Sequence, residues 1–68
     1  MHVRVTRSFN GVTSADGKSV TPDGERFSIP IQDGHQSKPG TRGRFWEARM
    51  TKSMRPSRTV AIPYSDNA

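Results

Sequence analysis

The stretch Phe45–Met54, FWEARMTKSM, fits two templates, and the choice between them sets the fold class. Read as a strand, Trp46, Ala48 and Met50 share one face, with Phe45, Glu47 and Arg49 on the other. Read as a helix, Trp46, Met50 and Met54 fall at i, i+4 and i+8, and Pro56 ends the element. The Gly43 before it, the β-branched Thr51 within it and the character of the rest of the chain favour the strand. A short helix over 44–54 is the alternative.

The rest of the chain is β-like in composition. Leucine is absent, whereas there are five Val and three Ile. Val and Ile are stiff at χ1 and suit a pleated surface. Six Gly and five Pro supply turns. Upstream, His2–Phe9 alternates, with Val3, Val5 and Phe9 on one side, interrupted by Arg7. Asn10-Gly11 then favours a type I′ hairpin turn, with Val12-Thr13 as the return. Asp16-Gly17, Pro22-Asp23-Gly24 and Asp33-Gly34 mark further turns. A short strand lies within 18–21. Another spans Arg26–Ile31, with Phe27, Ile29 and Ile31 on one face and Pro30 at an edge or bulge. His35–Gly43 is an exposed, mobile loop. Downstream, Val60, Ile62 and Tyr64 align on a last strand, and 65–68 is a frayed tail.

Together these features predict a mainly β chain: a single small domain over 1–68, ordered over about 2–64, of four or five short strands. An antiparallel meander and a small SH3-like or OB-like barrel both fit. The expected core is Val3, Val5, Phe9, Val20, Phe27, Ile29, Ile31, Ala48, Met50, Val60 and Ile62. With 68 residues and 29% hydrophobic content, that core is small. A homodimer or another partner is one expected source of added stability. The chain has no cysteine, so neither a disulfide nor a thiolate metal site is available. There is no signal-peptide pattern and no apolar run of membrane-spanning length. A cytoplasmic protein is expected, with no membrane partner.

Charge gives the functional signal. Residues 1–37 balance four cations against four acids, whereas 38–58 holds seven cations and only Glu47. The formal net charge of +5 therefore comes from one segment. That segment also contains Phe45 and Trp46. Cations neutralise phosphates and flat rings stack on bases, so the pattern predicts a nucleic-acid surface. The candidate residues are Lys38, Arg42, Arg44, Phe45, Trp46, Arg49, Lys52, Arg55 and Arg58. A chain this poor in apolar residues is expected to bury Trp46, which leaves Phe45 as the stacking ring and Tyr64 as a second. The competing view makes the segment a solvated face whose arginines pair with the acidic turns.

No recognition helix is evident, so single-stranded DNA or RNA is favoured over a duplex. The alternative function is a small regulator or inhibitor that binds an acidic or nucleic-acid-handling protein, through an exposed strand edge or an Arg-Trp hot spot. A structural component of a larger ribonucleoprotein or viral assembly is a third reading. Catalysis has little support. His2 and His35 are the only imidazoles, His35 near Asp33 has no evident nucleophile, and no spacing suits a metal. The glycine-bearing KPGTRGR loop lacks the spacing of a nucleotide-binding phosphate loop. No enzyme and no cofactor are expected.

Overall fold

The computed structural model describes residues 2–35, 37–51, 54 and 56–64. Five strands form one antiparallel sheet: β1 (His2–Thr13), β2 (Ser19–Pro22), β3 (Ile29–Pro30), β4 (Arg42–Thr51) and β5 (Arg58–Pro63). Their order is β3-β2-β1-β4-β5. Thus β4 returns beside β1 rather than beside β3. The sheet is open, but its ends approach: Ile31 forms a single parallel bridge to Ala61, and the Gln32 N–H donates to the Ala61 carbonyl at 2.9 Å. The Phe45–Met54 ambiguity resolves to strand through Thr51, and no helix forms among the described residues.

The sheet has two distinct faces. Residues directly opposite in neighbouring strands share a face, and alternation carries that face along each strand. The inner face carries Phe9, Val20, Ile31, Phe45 and Ala61 as one buried cluster, with Ile29 packed against it. Phe9 and Phe45 are ladder partners, and their rings stack with centroids 5.7 Å apart. The outer face carries a second cluster of Ala48, Met50 and Val60, with Ile62 against it.

A bulge in β1 explains the interruption at Arg7. Val5 pairs with Ala48 and Arg7 with Glu47, so Thr6 is an extra residue without a counterpart. The extra residue inverts the alternation. Val3 and Val5 join the outer face, whereas Arg7 and Phe9 face inward. The expected common side for Val3, Val5 and Phe9 is thereby corrected. Val3 and Val5 are 51% and 52% exposed rather than core.

Three further expectations are corrected. Asn10-Gly11 is not a turn, because β1 runs straight through it. Its glycine serves close approach instead: a Cβ on Gly11 would lie 2.6 Å from the Thr21 carbonyl oxygen. The Arg26–Ile31 strand shrinks to Ile29–Pro30, and Phe27 is 84% exposed, not buried. The third concerns Phe45 and Trp46, whose burial is the reverse of that expected. Phe45 is 1% exposed and Trp46 38%. The inner face already encloses Phe45 between Phe9 and its neighbours, whereas Trp46 opposes the small Ser8 on the outer face.

Several turns match the sequence reading. Gly17, Gly24 and Gly34 all have positive φ, as Asp-Gly turns require. Asp16 Oδ1 accepts from the Ser14 hydroxyl at 2.5 Å and from the Lys18 N–H at 3.0 Å, which fixes the β1–β2 turn. Pro30 lies on β3 at the end of the sheet order, where its missing N–H costs nothing. The predicted 65–68 tail lies outside the described residues.

Candidate nucleic-acid interface

Strand β4 supplies most of the candidate side chains, and its alternation sorts them onto two faces. Arg42, Arg44 and Trp46 lie on the outer face, whereas Phe45 and Arg49 lie on the inner side. Tyr64, just past β5, is tied in by its N–H donating to the Arg44 carbonyl at 3.1 Å. The strand end therefore places a ring beside β4. Trp46 and Tyr64 stack with centroids 4.3 Å apart and planes 16° from parallel. The Arg44 guanidinium lies 5.6 Å from the Tyr64 ring centre and donates through Nη2 to the Ser8 hydroxyl at 3.1 Å. A cation over a ring is attracted to its negative face, which holds the guanidinium near the stack. Cation, phenol and indole thus form one surface group across the ends of β4 and β5.

The remaining candidates divide. Arg42 pairs with Asp23 of the β2–β3 turn, as the acidic-turn alternative anticipates. The pair is well exposed, so it costs little to open. Arg58 opposes Met50 on the outer face, about four residues along the ladder from the rings. Lys38 sits on the turn before β4, where its carbonyl accepts from the Thr41 hydroxyl at 2.7 Å. Phe45 is in the core and cannot stack on a ligand. Lys52 and Arg55 lie outside the described residues. Sequence reasoning did name Tyr64, but as the weaker ring. Its pairing with Trp46 depends on the β4–β5 register, which no local pattern encodes.

On the inner side an acid–base chain holds the bulge. Arg7 forks onto both oxygens of Glu25 at 2.8 and 3.0 Å, and its Nε donates to Glu47 at 2.9 Å. These hydrogen bonds, the Glu25 ones first, raise the Arg7 pKa above its ordinary value. The Arg7 guanidinium in turn holds the Glu25 carboxyl below the usual range. This network occupies two of the acids nearest the basic strand.

One open groove of about 420 Å³ runs between Gly17-Lys18 and the Pro30–Gly34 turn. Its described lining offers one ammonium and one carboxylate, with no imidazole. No family model matches the chain, and no curated protein or solved structure matches it.

Proposed function

We propose that this chain binds single-stranded nucleic acid on the outer face of β1, β4 and β5. The observation that carries the reading is the Trp46–Tyr64 stack with Arg44 beside it, on a chain of net charge +5. An exposed indole offers a flat apolar surface that a base can extend. Only an unstacked base can do so, because duplex bases already cover one another, so single strands are preferred. Arg44 and, once released from Asp23, Arg42 neutralise the adjoining phosphates. Their guanidinium forks match a phosphate's geometry.

We further infer that the sheet is an OB-type barrel in outline. Pairing of β1 with both β2 and β4, plus a parallel bridge to β5 from Ile31 just past β3, supports that connectivity. Such five-stranded, partly open barrels are a recurrent platform for oligonucleotides. The role is that of a binding module rather than an enzyme, acting on nucleic acid in the cytoplasm.

The test is the affinity of Trp46→Ala, Tyr64→Ala and Arg44→Ala for a labelled single-stranded oligonucleotide. Stacking is worth ~1–3 kcal/mol per base. Losing it weakens binding roughly 5- to 140-fold, at about 1.4 kcal/mol per tenfold. Unchanged affinity in all three folded variants would remove the site. A second reading, a regulator that docks on a protein, is favoured by one observation: Val3 and Val5 are half exposed beside the apolar outer cluster. It predicts that Val5→Lys abolishes partner capture while Trp46→Ala leaves it intact.

A further inference from the structure

Arg4 and Arg49 stand directly opposite each other across the β1–β4 ladder, and Thr59 stands opposite Arg49 across β4–β5. The three side chains form one row on the inner-face side of the sheet. Like charges directly opposite in a sheet repel and destabilise it. Among the described residues neither guanidinium of this pair makes an ion pair or a side-chain hydrogen bond. The acid next along that face, Glu47, is paired instead with Arg7, at 2.9 Å, and accepts from the Thr6 hydroxyl at 3.3 Å. Both Glu25 oxygens are held by Arg7 as well.

We propose that Arg4, Arg49 and Thr59 bind a phosphate group. Two guanidinium forks and a hydroxyl donor stand at neighbouring positions in one short row, and a bound dianion or phosphodiester replaces repulsion with two charge-assisted contacts. The row lies three residues along β4 from Trp46, about 10 Å, on the opposite face. The bridge from Ile31, just past β3, reaches β5 at Ala61, and the ladder places Thr59 beyond it. A single strand that leaves the rings can cross the β5 edge onto the row. The assignment of this phosphate to a nucleic-acid backbone rests on the proposed function; the phosphate site itself does not.

The test compares thermal unfolding of the full chain and of Arg4→Gln and Arg49→Gln in chloride and in inorganic phosphate at equal ionic strength. Both side chains are exposed, so neither variant disturbs the core. In chloride, each variant should melt a few degrees above the parent, because repulsion is removed. Phosphate should raise the parent's melting temperature more than either variant's. General salting-in or salting-out by phosphate acts on all three alike and cancels in the comparison. An equal rise in all three, or none in the parent, overturns the site.

Oligonucleotide binding then identifies the source. A salt slope shallower by about 0.7 in Arg49→Gln assigns the phosphate to a polynucleotide backbone. An unchanged slope alongside the phosphate-specific stabilisation assigns it to a free phosphate. A phosphate effect that persists while Trp46→Ala leaves oligonucleotide affinity unchanged keeps the site and discards the ring face.

Discussion

Replacing Phe45 or Trp46 with alanine separates the core from the surface at adjacent positions. The Phe45 side chain is 1% exposed and stacks on Phe9 within the larger buried cluster. Truncating a buried phenylalanine costs about 3–5 kcal/mol, from lost transfer energy plus the cavity. At roughly 0.05–0.15 kcal/mol per residue, a chain of 68 residues holds only about 3–10 kcal/mol in all. Phe45→Ala should therefore leave the protein largely unfolded or close to it. Trp46→Ala removes a partly exposed ring and one stacking contact, the contact worth about 0.5–1.5 kcal/mol beyond the area it buries, and leaves no enclosed cavity, so its cost should be smaller than that of Phe45→Ala. Urea unfolding followed by far-UV circular dichroism measures both without relying on the indole. Phe45→Leu, which keeps apolar volume, should recover most of the loss. If Trp46→Ala cost as much as Phe45→Ala, the partition of the two faces would be wrong.

Other predictions follow from local geometry. A Cβ on Gly11 would meet the Thr21 carbonyl oxygen at 2.6 Å and Val20 Cγ2 at 2.9 Å, so Gly11→Ala should lose about 1–3 kcal/mol; an unchanged urea midpoint would contradict that close approach. The Glu25 carboxyl is lowered by Arg7, and the Asp16 carboxyl by the Ser14 hydroxyl and then the Lys18 N–H. A depressed folded pKa contributes stability that is present above the unfolded value, about 4, and is lost as pH falls through the folded value. The melting temperature should thus fall below about pH 4, and less steeply in Glu25→Gln; an identical acid slope in that variant would exclude the Arg7 pairing as a cause. Asp23→Asn frees Arg42 from its surface pair, which should change stability by at most about 1 kcal/mol and strengthen oligonucleotide binding at low salt.

The β character and the three Asp-Gly turns were legible because they are local, whereas Asn10-Gly11, an equally local turn signal, lies within β1. Val-rich alternation, Asp-Gly pairs and the edge proline each act over a few residues. What was not legible depends on pairing between distant segments. The Thr6 bulge reverses the facing of Val3 and Val5 relative to Phe9, and it appears only when β1 is laid against β4. That Phe45 rather than Trp46 is buried follows from which face meets Phe9, and alternation alone leaves the two faces equivalent. Phe27 fits the alternation of its segment, yet the chain there is spent on the turn that brings Glu25 to Arg7. Of the expected surface, Arg44 and Trp46 share a face and join Tyr64, whereas Arg49 falls on the opposite side and meets Arg4. The basic segment is thus one run in sequence but two separate groups in space.

The most direct test of the central claim is the fluorescence of Trp46, the sole tryptophan, during titration with a single-stranded oligonucleotide and a matched duplex at physiological salt. Stacking of a base on the indole predicts saturable quenching by the single strand, stronger than by the duplex and abolished in Arg44→Ala at equal concentrations. No quenching by either ligand in the folded protein, or quenching only by the duplex, would contradict a single-strand surface on this face.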